Sequence, residues 1–144
     1  MKGKTWLIIG VLALSICCEK EPDIEIPDPS ETEGDQRDRF IGNWTVSESS
    51  KILGDRNFIV NMSKDDQYPA QVNISNFYLI GTGDSVAANV SAVLVSTITV
   101  PDQTVSGSLY SGKGEMENDQ KINFTYYIDD GNADKDTVSA VFIR

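Results

Sequence analysis

The sequence predicts an all-β domain: a single antiparallel meander of about eight strands closed into a barrel, with a two-sheet sandwich as the alternative. Three observations lead there. From Phe40 onward apolar and polar residues alternate with period two, and no sustained helical period is present. Clusters of Gly, Asp, Asn and Pro break these runs at hairpin spacing. Residues 40–144, about 105 in all, suffice for one domain with its own core. Closure would leave no unpaired strand edge, but two packed sheets show the same period.

In chain order, Phe40, Trp44 and Val46 share one parity, with Gly42 between them. Phe58, Val60 and Met62 repeat the pattern, and Val72 with Ile74, then Tyr78 with Ile80, continue it. A β-branched stretch runs from Val86 to Val100, followed by Val105 and Leu109. Ile122, Phe124, Tyr126 and Ile128 alternate with Asn123, Thr125 and Tyr127, and Val138, Ala140 and Phe142 close the series. Turns are expected at Leu53-Gly54-Asp55, Lys64-Asp65-Asp66, Gly81-Thr82-Gly83-Asp84, Pro101-Asp102, Gly112-Lys113-Gly114 and Asp129-Asp130-Gly131-Asn132.

The first residues read as an address. Lys2 and Lys4 precede an apolar run from Trp6 to Ile16, which has the length of a signal-peptide core and is short for a bilayer span. The run ends at Cys17-Cys18, the only cysteines. This resembles a bacterial lipoprotein signal, residues 1–17, with Cys18 as the lipidated residue and Cys17 as the alternative. Ile16 is bulky where the position before Cys17 should be small, whereas Cys17 before Cys18 is small. Lipidation would leave neither a disulfide nor a free thiol.

Residues 18–39 follow as the lipidated cysteine and an acidic tether. Nine of the 21 residues from Glu19 to Arg39 are acidic, and Pro22, Pro27 and Pro29 fall among them. Such a segment has little to bury and favours extended polyproline II, so it could reach roughly 60 Å from a membrane.

Composition excludes several function classes. The chain carries 12 basic and 22 acidic residues, a net charge of −10; removing residues 1–17 takes away two lysines and no acid, so it becomes −12. A surface of that sign repels nucleic acid and anionic headgroups, so membrane attachment falls to the acyl chains. Histidine is absent. Ser-His-Asp and Cys-His catalysis within the chain and the common zinc and copper ligand sets go with it. No cofactor and no metal site is expected.

Phe40-Ile41-Gly42-Asn43-Trp44 resembles the opening strand of lipocalin-like barrels, where Gly-x-Trp follows a short lead-in segment. The segments Val72-Asn73-Ile74-Ser75-Asn76-Phe77-Tyr78, Ile98-Thr99-Val100-Pro101-Asp102-Gln103 and Lys121-Ile122-Asn123-Phe124-Thr125-Tyr126 also resemble short lipocalin-like (calycin-type) lipoproteins of Bacteroidetes-type bacteria. The resemblance covers about residues 40–144. It implies a fold and an outer-membrane location, with no settled ligand or activity; Glu19-Lys20-Glu21 resembles a surface-export signal, which favours the cell surface over the periplasmic face. It also implies that Trp44 plugs one barrel end and that an arginine from near the chain end, here Arg144, covers its ring in a cation–π contact. Lipocalins with roomy pockets are longer. An eight-strand barrel is just wide enough for its own side chains or one small ligand, so an interior filled by Trp44, Phe58, Phe124 and Phe142 stands beside a small pocket.

Other constellations read as surface. Asp130-Gly131-Asn132-Ala133-Asp134-Lys135-Asp136 spaces oxygen ligands as calcium loops do, but Lys135 stands where a glycine is expected and Val141 where the bidentate glutamate belongs. Glu115 with Glu117 and Asp129 with Asp130 are acidic pairs with nothing to set a catalytic separation, and no catalysis is expected. Asp84-Ser85-Val86 and Asp136-Thr137-Val138 resemble the O-glycosylation motif of Bacteroidetes-type envelope proteins, which marks Ser85 and Thr137. The leading expectation is a non-catalytic binding module for a small apolar or glycan-derived ligand. The alternative is an accessory protein acting on an envelope partner through its outer surface, its barrel filled.

Overall fold

A computed structural model describes residues 34–94, 96–132 and 134–144, and within them the alternating segments form eight strands. These are β1 (Gly42–Ser50), β2 (Gly54–Lys64), β3 (Gln71–Ser75), β4 (Ser85–Val90), β5 (Thr97–Val105), β6 (Ser108–Asn118), β7 (Lys121–Asp129) and β8 (Asp136–Ile143). Each pairs antiparallel with the next, and β8 returns to β1, so the meander is a closed barrel rather than a sandwich. Cys17, Cys18 and the signal segment lie outside the described residues.

Parity decides what faces inward. Trp44, Val46, Glu48 and Ser50 alternate with exposed residues along β1, and Val138, Ala140 and Phe142 alternate with exposed or half-buried ones on β8. Trp44, Phe124, Tyr126 and Phe142 are all buried in one core, while Phe58 lies half-buried at its margin. The filled interior is therefore the arrangement the barrel adopts below its mouth.

Several local expectations are corrected. Tyr78 and Ile80 do not form a strand: Phe77–Leu79 is a short 3-10 turn that drops the Phe77 ring into the core. The stretch from Val86 to Val100 divides into β4 and β5. Val105 and Leu109 lie on either side of the Ser106-Gly107 hairpin, half-buried and exposed respectively. Pro101-Asp102 sits within β5, where the register with β6 shifts between Val100 and Gln103, a bulge that tolerates proline.

Gly112-Lys113-Gly114 is likewise strand, not turn. A Cβ on Gly112 would stand 2.5 Å from Tyr126 Cβ, and one on Gly114 2.5 Å from Phe124 Cδ2. These glycines let β6 approach β7 closely, which helps to bend a sheet into a narrow barrel.

The folded domain also reaches back past Phe40. Residues 36–39, assigned to the tether on composition, form a 3-10 turn capped by Asp35. Arg37 Nη1 donates to the carbonyls of Asp65, Tyr68 and Gln71 at 3.0, 3.3 and 3.2 Å, and Lys64 binds Asp35 and Asp38.

Candidate functional site

The two ends of the barrel differ. At the end where the chain enters, Gly42 adopts φ of 120°, a conformation open to glycine, which turns the lead-in segment into β1. Trp44 Nε1 donates to the Phe40 carbonyl at 2.7 Å. Arg144 lies with Cζ 4.5 Å from the centre of the Trp44 ring, and its guanidinium donates to the carbonyls of Asp119, Ile41 and Arg39 at 2.7, 3.0 and 2.9 Å. This end is sealed.

The other end carries a polar layer inside the wall. Glu48 and Arg56 face each other across β1 and β2 and both turn inward. They form an ion pair, and the Tyr126 hydroxyl donates to the second carboxylate oxygen of Glu48. A charge this deep is tolerated because it is paired and hydrogen-bonded. Arg56 Nε, also buried, has no hydrogen-bond partner among the described residues. The Arg56 guanidinium lies 4.2 Å from the centre of the Tyr78 ring, a cation–π contact.

Asp136 completes the layer from β8. It accepts from Ser50 Oγ, from the Tyr78 hydroxyl at 2.7 Å and from the Ile52 amide at 3.1 Å. Burial raises its pKa, but these donors outweigh burial and hold it below the usual carboxylate range. Burial and the neighbouring Asp136 push the Tyr78 phenol up to about 12. Burial and Glu48 push Tyr126 up further.

Tyr78 lies between this layer and a mouth cavity of about 210 Å3. Ile52, Leu53 and Ile128 supply apolar lining, and Asp130, Asp134 and Asp136 supply carboxylates. The turn that brings Tyr78 here is strained: Asn76, Tyr78 and Leu79 have φ of 59°, 54° and 65°. Left-handed backbone at residues with a Cβ costs about 1–3 kcal/mol each, and such strain gathers at functional sites. Phe77, one residue before, is wedged 4.5 Å from Tyr126, 5.9 Å from Phe124 and 6.3 Å from Tyr110 between ring centres.

Of the residues marked from sequence, Trp44 and Arg144 meet at the sealed end, while Ser85 and Thr137 are exposed at the starts of β4 and β8. The loop from Asp130 to Asp136 does not gather ligands, since Asp136 turns into the barrel and bonds there; no group of acidic side chains suited to a metal occurs among the described residues. Sequence reasoning missed Glu48, Arg56 and Asp136. The signal was present: each shares the parity of the apolar residues on its own strand.

No protein-family model matches the chain, and no curated protein does. Solved barrels do. The structure of EF1p2_mFAP2b bound to DFHBI is 13% identical with a TM-score of 0.54, covering 77% of this chain and 99% of that one. A redesigned β-barrel, b11L5F_LGL, is 13% identical with a TM-score of 0.51, covering 78% and 96%. At that identity the likeness is one of fold: this chain is a closed eight-stranded β-barrel.

Proposed function

We propose that the chain is a lipid-anchored binding protein of the cell envelope, similar to short lipocalin-like lipoproteins, that takes a small apolar or glycan-derived ligand at the open end of its barrel. The observation that carries this reading is the buried Glu48–Arg56–Tyr126 layer beneath the mouth cavity. Polar groups at that depth cost free energy in a barrel that could be wholly apolar, and a few convergent polar groups behind an apolar rim are the usual make-up of a ligand site. A barrel of similar fold binding DFHBI supports the reading by analogy of shape alone.

The anchor is Cys18, or Cys17, on the outer membrane and facing the cell surface. The described chain enters the barrel at the sealed end, beside Phe40, and the mouth is at the opposite end. The role is non-catalytic: among the described residues Glu48 and Asp136 are the buried carboxylates, and both are engaged by Arg56, Tyr126, Ser50 and Tyr78. Native mass spectrometry of the chain drawn gently from envelope membranes tests this. A reproducible bound mass, lost on denaturation and weakened by Leu53→Asp in the mouth, supports it; a bare chain at every preparation counts against it.

A second reading, a partner docked on the outer wall, is favoured by one feature. Ile59 and Ile143 flank Thr45 on neighbouring strands and are 60% and 49% exposed. Crosslinking from a cysteine placed at Thr45 would capture a protein in native membranes under that reading and nothing under the first.

A further inference from the structure

Resting on the reading that a ligand enters at the open end, we propose that the Phe77-Tyr78 turn is a built-in occupant of the binding site, displaced by a neutral flat aromatic molecule bearing a hydroxyl. The turn is held by side chains rather than by strand pairing. Its backbone bonds run within the loop: Asn76 N to the carbonyls of Gly81 and Asp84, Leu79 N to Asn76 O, and Ile80 N to Phe77 O. Its ties to the wall are Asn76 Nδ2 on the Ile59 carbonyl at its base, the Tyr78 hydroxyl on Asp136, the Tyr78 face under Arg56, and the buried Phe77 ring. Three left-handed residues, Asn76, Tyr78 and Leu79, are relieved when the turn swings out. Displacement therefore breaks no strand register and releases strain.

What the two rings occupy describes what replaces them. The Phe77 ring fills a slot edged by Tyr110 and Phe124 and closed by Tyr126, which suits a second flat ring. The Tyr78 ring offers its face to the Arg56 guanidinium and its hydroxyl to Asp136. A ligand standing in both places needs a π face and a hydroxyl donor, because losing the donor leaves Asp136 short of a bond while buried. The buried Arg56 Nε, without a hydrogen-bond partner among the described residues, remains as a donor for a ligand oxygen. The charged groups facing this compartment are Glu48 and Asp136 against Arg56, with Asp130 and Asp134 at the mouth above, and Glu48 already neutralises Arg56. An anionic ligand is disfavoured there, and a neutral one is not.

The test uses the full chain in lipid nanodiscs with 2-naphthol, naphthalene and 2-naphthoate titrated over the same range of free concentrations, read by peptide-resolved hydrogen exchange. We expect 2-naphthol to speed exchange across residues 76–80, naphthalene to need a concentration about tenfold higher for want of the hydroxyl, and 2-naphthoate to have no effect. Phe77→Ala removes the competing ring and should tighten 2-naphthol binding by about tenfold, and Asp136→Ala should abolish the preference for 2-naphthol over naphthalene. Should either variant fail to fold, the three-ligand comparison on the unaltered chain still decides. Binding of 2-naphthol with residues 76–80 still protected overturns the proposal while leaving open-end binding intact. No binding of any of the three to the unaltered chain, with binding to Phe77→Ala alone, overturns it too and makes Phe77 a permanent core residue. The open-end reading itself fails on a different result, a natively bound ligand that protects outer-wall peptides.

Discussion

The side chain of Gln103 pairs with the backbone of Ala87 as a neighbouring strand would: Oε1 accepts from Ala87 N at 2.8 Å and Nε2 donates to Ala87 O at 2.7 Å. The barrel needs this. Between β4 and β5 only Asn89 with Thr99 and Val90 with Ile98 are in register, because β5 swings away at the Pro101-Asp102 bulge. A side-chain amide has the donor and acceptor of a peptide group, so it bridges the gap. Gln103→Ala should cost about 1–3 kcal/mol, since it leaves two half-buried backbone groups without partners. Urea denaturation gives the cost, and faster hydrogen exchange at the Ala87 amide locates it.

The buried ion pair should show strong coupling. Glu48→Gln leaves Arg56 facing a neutral amide inside the wall, and loss of one partner of a buried pair costs about 3–5 kcal/mol. The low end is expected here because the Arg56 side chain keeps 20% exposure. Replacing both, Glu48→Gln with Arg56→Met, should cost less than the two single changes added together. A double-mutant cycle by denaturation measures the coupling, and strict additivity would deny it.

A methyl group added at Gly114 should be among the more damaging small changes. Its Cβ would meet the Phe124 ring at 2.5 Å and Ile98 Cγ2 at 2.8 Å, inside a packed core. Overpacking of this kind costs about 1–3 kcal/mol. Gly112→Ala should cost more, because the Thr125 carbonyl at 2.8 Å is backbone and yields less than a side chain. Comparing the thermal midpoints of the two variants tests the order.

Stability should fall at both extremes of pH. Tyr78, held at about 12, and Tyr126, raised further, keep protons that their unfolded counterparts release near pH ~10. Their contribution is therefore complete below about pH 10 and is lost as pH rises towards and through 12. Asp136 has the opposite sign. Its folded pKa is lowered, so its contribution is present above about pH 4 and is lost as pH falls below that. Denaturation midpoints followed across pH should show a plateau between these limits. Tyr78→Phe should flatten part of the alkaline limb, and an unchanged limb would contradict the assignment.

Much of the barrel was legible because strand parity is a local property. The alternation at Ile122, Phe124, Tyr126 and Ile128 became β7 with all four inward, and Trp44 and Val46 took the inward face of β1. The polar layer was legible in principle by the same rule: Glu48 continues the row of Trp44 and Val46, Arg56 that of Phe58 and Val60, and Asp136 that of Val138 and Ala140. A charged residue read by its chemistry alone is placed in water; read by its position in the pleat it is placed inside, and here position prevails because each charge finds its partners on a neighbouring strand or on the Tyr78 turn.

Local turn chemistry misled where the contact that decides is distant. Gly112 and Gly114 look like a turn in isolation, yet they pair on both sides within β6, and glycine stands there because Tyr126 and Phe124 on the neighbouring strand leave no room for a Cβ. Phe77 looks like the continuation of β3, yet it leaves the strand because the centre of a closed barrel, among Tyr110, Phe124 and Tyr126, buries its ring more completely than the wall could. The order of the residues settled the strand period, the acidic balance and the lack of histidine, all of which follow from the chain alone. Closure, the sealed end, the buried polar layer, the Gln103 bridge and the burial of Phe77 were settled by folding, because each depends on groups far apart in the chain being brought within a few ångströms.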